Sequence, residues 1–188
     1  MDYMLFEKND GTAPKRVVGK KSMFLISIRN NFLDTLKKSV EKYGVENEND
    51  ALNWSYLHYA AYHNNTEAAQ ILLDGGLDIN TVDIDKQTAL FTAIKMESLR
   101  MVEFLLKNNI DLSVEDVYGF TAFELAKTRS KFETNNSHEK RIRERIFKTI
   151  DKYIEAKTQS NNRQKNSVYQ DKKYIIQKMS EIIKTKVM

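Results

Sequence analysis

A helix-opening Ser or Thr recurs every 33 residues, at Ser22, Ser55, Thr88 and Thr121, and a large apolar side chain follows each one two positions later: Phe24, Leu57, Leu90 and Phe123. Asp50, Asp83 and Asp116 each stand five residues before the last three of these anchors. A register held over that many units limits the fold to a stack of near-identical modules, each too small to bury its own apolar surface and each completed by its neighbours.

Inside a unit the spacing is helical. Leu57, Ala60 and Ala61 share one face of a first helix, and Ala69, Leu72 and Leu73 share one face of a second. Leu90, Ala93, Ile94, Val102, Leu105 and Leu106 repeat the pattern 33 residues on. The small Ala60, Ala61 and Ala93 predict close approach of paired helices. Gly76 and Asn109 suit a left-handed residue that ends a helix. Asp50, Asp83 and Asp116 are placed to accept from backbone N–H groups of the turn before the next helix.

The blocks S-Y-L-H-Y-A-A and T-A-L-F-T-A-I, with A-A-Q-I-L-L-D-G-G-L-D-I-N and M-V-E-F-L-L-K-N-N-I-D-L-S after them, resemble the ankyrin repeat in spacing and mostly in residue type. The resemblance implies an all-α ankyrin-repeat solenoid of stacked helix-turn-helix units with a helical C-terminal extension. The two middle units carry it most strongly. Unit one has Phe24, Ser27 and Ile28 where the others have Leu and Ala, as a terminal unit with one uncovered face would. Unit four opens with D-V-Y-G-F-T-A-F-E-L-A and then runs into the polar stretch from Ser130 to Ser137, so its second helix is delayed.

That reading divides the chain in four. Residues 1–20 form an N-terminal extension, read as a hairpin around Asn9-Asp10-Gly11. Residues 21–157 form the solenoid with a long capping helix carrying Ile142, Ile146, Ile150, Tyr153 and Ile154 on one face. Residues 158–167 form a linker, and residues 168–188 an amphipathic helix whose stripe of Ile175, Met179 and Ile182 offers a route to self-association.

Charge is distributed unevenly over the 188 residues. Residues 1–22 hold five basic side chains and three acidic, residues 23–130 hold ten and sixteen, and residues 131–188 hold fifteen and seven. The basic tail, with Lys140, Arg141, Arg143 and Arg145, gives an alternative reading as a nucleic-acid-associated protein. The interspersed Glu139, Glu144, Asp151, Glu155 and Glu181 favour an ordinary solvated helix face instead. With no cysteine, thiol chemistry and Cys-based metal sites are excluded. His58 and His63 are five apart and lack the acidic partner of a helical zinc motif, and no phosphate loop or nucleophile elbow occurs. No enzyme activity, cofactor or metal is expected. No apolar run reaches the length of a membrane helix, and Asp2, Glu7 and Lys8 break up the start of the chain, so a cytoplasmic protein is expected.

The resemblance implies a non-enzymatic module that binds a folded partner through turn tips and the exposed side of each first helix. By position these are Arg29, Leu52, Trp54, Tyr62, His63, Ile84, Asp85, Gln87, Lys95, Met96, Tyr118, Phe120 and Arg129. Trp, Tyr and Arg dominate interface energetics, which singles out Trp54 and Tyr62 as anchors on a concave side expected to be acidic through Asp85, Glu115 and Asp116. The sharpest specific expectation is an inhibitor, or an immunity protein that neutralises a toxin by capping it.

Overall fold

The computed structural model describes residues 5–6, 16–17, 19–45 and 51–160. Two compact units are separated at Lys148/Thr149. Among the described residues the first holds three helix pairs, α1 (Lys20–Arg29) with α2 (Leu33–Tyr43), α3 (Tyr56–Tyr62) with α4 (Thr66–Asp74) and α5 (Ala89–Lys95) with α6 (Leu99–Lys107), and then α7 (Ala122–Lys131). An eighth helix, α8, covers residues 137–160, and the boundary between the two units falls within it. Ahead of α1, β1 (Leu5–Phe6) pairs antiparallel with β2 (Arg16–Val17), in a register of Leu5 with Val17 and Phe6 with Arg16.

First helices pack on first helices, α1 on α3, α3 on α5 and α5 on α7, and second helices on second helices, α2 on α4 and α4 on α6. The result is two layers with the core between them. Leu57, Ala60, Ala61, Ala69, Leu72, Leu90, Ala93, Met101, Val102 and Leu105 are fully buried there. Alanine is what permits the approach. At 33-residue intervals its single methyl leaves room for the neighbouring helix, where a longer side chain would force the layers apart.

The period is written into the backbone. The turn between the two helices of a unit uses a left-handed residue at Asn31, Asn64 and Glu97, and the turn tip uses one at Asn53, Lys86 and Gly119. The second helix ends on another at Gly76 and Asn109. Asn and Gly adopt this conformation at little cost, whereas Lys86 and Glu97 accept about 1 kcal/mol of strain. Unit four breaks the first series. Ser130 stands where the left-handed turn would fall, and α7 runs on through it to Lys131.

Unit one departs from the sequence reading. Ser22 does not open its helix: α1 begins two residues earlier, after Gly19, and Ser22 lies within it. Its second helix also has eleven residues against nine in α4 and α6. Asn65 ties it to unit two, capping α4 by accepting from Ala68 N–H at 2.9 Å and donating to the Ile28 carbonyl at 2.8 Å and Asn31 Oδ1 at 3.0 Å. The capping helix α8 continues to residue 160, three residues past its expected end at 157. The remainder of the expected linker, the amphipathic helix expected over 168–188, and Asp50 lie outside the described residues.

Gly75 and Gly76 are glycines for different reasons. A Cβ on Gly75 would meet Val40 Cγ1 at 2.6 Å and Val45 Cγ1 at 3.0 Å, while one on Gly76 meets nothing within 4 Å but the residue sits at φ +93°. Gly76→Ala is therefore expected to cost about 1 kcal/mol through backbone strain alone. Gly75→Ala is expected to cost more, about 1–3 kcal/mol, by pushing α2 and α4 apart. Urea unfolding of the two variants checks the order, and rescue of Gly75→Ala by Val40→Ala but not of Gly76→Ala checks the cause.

Candidate functional site

The turn tips are built by the repeating aspartate. Asp83 Oδ1 accepts from Asp85 N–H at 2.9 Å and Gln87 N–H at 2.8 Å; Asp116 Oδ1 accepts from Tyr118 N–H at 2.9 Å and Phe120 N–H at 3.0 Å. Neighbouring tips are then joined edge to edge, Ile84 N–H donating to the Leu52 carbonyl at 3.1 Å and Val117 N–H to the Asp85 carbonyl at 2.9 Å. His58 lies beneath, fully buried. Its Nδ1 faces the Ser55 N–H at 3.2 Å and so acts as acceptor, which leaves the proton on Nε2 to donate to the Gln87 carbonyl at 2.9 Å. This histidine is a structural link between units.

Burial pushes the Asp116 carboxyl up, but hydrogen bonds from the Phe120 and Tyr118 N–H groups and the Gln87 amide, with the nearby Lys95 charge, outweigh it and hold the carboxyl below the ordinary aspartate value. Ser113, through its hydroxyl and its N–H, holds Asp111 low in the same way.

This framework presents most of the expected site residues to solvent. Leu52, Tyr62, Ile84, Met96, Tyr118 and Phe120 are all exposed, Tyr118 at 78%. Arg29, His63, Asp85 and Lys95 are exposed as well. Trp54 is half-buried, its ring centroid 5.3 Å from Tyr59, 5.9 Å from Tyr62 and 6.0 Å from His58, so it leans along α3 while keeping one face outward. Beside it Leu25, Ile26, Arg29, Tyr59, Tyr62 and His63 line an open cleft of about 540 Å³. Burial first, and the Arg29 charge second, lower the His63 pKa below the usual histidine value. A second cleft of about 390 Å³ lies along α7, with the exposed Phe120 and Phe132 at its rim.

Two of the expected residues do other work. Gln87 is buried at 7% exposure, donating to Asp116 Oδ2 at 3.2 Å and accepting from Lys95 Nζ, so it braces adjacent tips. Arg129 is held by Glu97 at 3.1 Å and by the Lys95 carbonyl at 3.3 Å. The same Glu97 oxygen pairs with Arg143 of α8 at 2.6 Å, and Arg143 also reaches Glu139 at 3.3 Å. Glu97 is thus the point where α7 and the start of α8 are fastened to unit three, and its left-handed backbone is the local mark of that role. The acidic character expected of the concave side belongs to the tips. The first helices α1, α3 and α5 hold no acid; α1 carries Lys20, Lys21 and Arg29, α5 carries Lys95, and α3 has neither Lys nor Arg.

Among the described residues no cluster of three or more His, Asp or Glu side chains is placed to hold a metal ion, and no helix is long and apolar enough to cross a membrane.

Two layers of helices at a 33-residue period, aspartate-built tips and a histidine bridge between units define a repeat protein of the ankyrin kind. The family model for ankyrin repeats in three copies matches residues 23–116, and the chain belongs to that family. Similar proteins include BRCA1-associated RING domain protein 1 of Caenorhabditis elegans, 29% identical over 112 residues, which are 59% of this chain and 16% of that one. Two putative ankyrin repeat proteins of fowlpox virus also match. FPV034 is 36% identical over 73 residues (39% of this chain, 17% of that one), and FPV018 is 26% identical over 103 residues (54% and 13%). The chain thus spans less than a fifth of the length of each of these three relatives. Ankyrin repeats are protein-interaction modules, generally without catalytic activity.

The Asp116 carboxylate gives a pH signature. Because its folded pKa is depressed, its contribution is complete above the unfolded value of about 3.9 and is lost as pH falls through the lower folded value. Asp116→Asn is expected to be less stable than wild type by about 1 kcal/mol at pH 7 and equal to it at the lowest pH, where both side chains are neutral. Urea midpoints measured from pH 7 downward check the convergence.

Proposed function

We propose that this chain is a non-enzymatic binder that holds a folded partner protein against its first-helix face and turn tips, with Trp54 and Tyr62 as the central anchors. The single observation that supports this most is the Trp54, Tyr59 and Tyr62 aromatic cluster beside an open cleft, on a face whose polar backbone groups are already satisfied inside the stack. Apolar and aromatic area kept at the surface of a well-packed fold favours a partner over solvent. Occlusion of the partner's own working surface, the mode of an inhibitor or toxin-neutralising protein, is the specific form we favour. The nucleic-acid alternative is weakened by Arg143, one of its four expected phosphate contacts, which is committed to Glu97 and Glu139.

Affinity capture from the native cell extract tests this, followed by titration of the retained protein with purified chain. One protein retained in near-stoichiometric amount and losing activity on binding is expected. The Trp54→Ala, Tyr62→Ala double variant, with its helical circular dichroism intact, is expected to bind it about 100-fold more weakly. Unchanged affinity would remove the face from consideration.

A further inference from the structure

The charge on the binding face narrows the chemistry of what it holds. Over residues 23–130 acids outnumber bases sixteen to ten, yet the first-helix residues within that range carry four basic side chains, Arg29, Lys95, Lys127 and Arg129, against a single acidic one, Glu124. Among the described acids, Asp83, Asp85, Glu115 and Asp116 lie at the tips, and Asp34, Glu41, Glu67, Asp74 and Glu103 in the second helices. Of the basic groups on the first-helix face, Lys95 is engaged by Gln87 and Arg129 by Glu97. Arg29 makes no ion pair among the described residues, and it lines the aromatic cleft beside α3.

We propose that this cleft receives an acidic, apolar-anchored segment of the partner protein, an aliphatic or aromatic side chain entering among Ile26, Tyr59 and Tyr62 while an adjacent carboxylate pairs with the Arg29 guanidinium. This rests on the reading of the first-helix face as the binding surface. The cleft mixes apolar wall from Leu25, Ile26 and the two tyrosine rings with polar groups, the Arg29 cation among them, and Arg offers a carboxylate two parallel donors. His63 beside it, its pKa lowered by partial burial and by the Arg29 charge, leaves Arg29 as the fixed charge. A phosphate backbone would also suit Arg29, but among the described residues Arg29 is the one fixed cation lining the cleft, and a polyanion draws its affinity from many such contacts. A short protein segment needs only one.

A phage-displayed library of random dodecapeptides, selected on the full chain at physiological salt, tests the proposal. Peptides enriched in Asp or Glu next to Leu, Ile, Phe or Trp are expected. As synthetic peptides they are expected to bind about tenfold more weakly to Arg29→Ala and to Tyr62→Ala, with affinity partly kept in Arg29→Lys and unchanged in Lys37→Ala on α2. Both main positions are exposed, and circular dichroism confirms that each variant is folded. Peptides without acidic bias that still lose affinity on Tyr62→Ala overturn the charge assignment and leave the binding face standing. Peptides indifferent to every first-helix substitution overturn both. Failure to select any peptide, or Arg29-dependent binding of single-stranded oligo(dT) or of a second copy of the chain in place of peptide, also overturns the proposal.

Discussion

The bond from His58 Nε2 to the Gln87 carbonyl, buried and 29 residues long in sequence, ties unit two to unit three, and the rest of the structure depends on links of this kind. Each unit exposes polar groups that only its neighbour can satisfy. Ile84 N–H finds Leu52, Val117 N–H finds Asp85, Asn53 reaches the Val82 carbonyl at 2.9 Å, and Gln87 reaches Asp116. A helix of seven residues, the length of α3 and α5, is far too short to be stable alone. It persists because burial against the adjacent helices and these lateral hydrogen bonds arrive together, which is why stability in such a stack is shared between units.

With the interior bonding handled between units, the outer side of each first helix is left free to vary. That freedom explains how one face can combine Trp54, Tyr62, Met96 and Arg29 with no cost to the core. The acidic tips and the basic first helices sit side by side, so the proposed binding face is polarised across its width, an arrangement suited to orienting a partner more than to adding raw affinity. Glu97 closes the far end. By accepting from both Arg129 and Arg143 it fastens the irregular last unit to the regular ones, in place of the left-handed turn that Ser130 does not make.

Much of this was legible in the sequence because it is local or periodic. The 33-residue register, the helix faces, the tip aspartates and the left-handed Gly76 follow from spacing and residue type alone. The inward turn of Gln87 was not legible, because nothing local says that its side chain spans 29 residues to Asp116. The pairing of Arg129 was not legible because its partner, Glu97, is set by the path of the chain, and Arg143 joins them from 46 residues away. A signal did exist: at the positions of Asn31 and Asn64 unit three carries Glu97, a poor left-handed residue, and such a departure points to another role. The basic first-helix face was hidden by summing charge along segments when helix faces were the relevant unit. Ser22 misled because a terminal unit has no preceding tip to fix where its helix starts.

Native-state hydrogen exchange by NMR, followed at the amides of Ile84 and Val117, tests most directly the claim that the tips are a rigid platform held by neighbouring units. Protection there equal to that of the buried amides of α3 and α5 is the predicted result, since opening a tip bond would require separating the units. Exchange at the rate of an unprotected loop, with the helices still protected, would contradict it and reduce the tips to loose connections on a stack held by apolar packing alone.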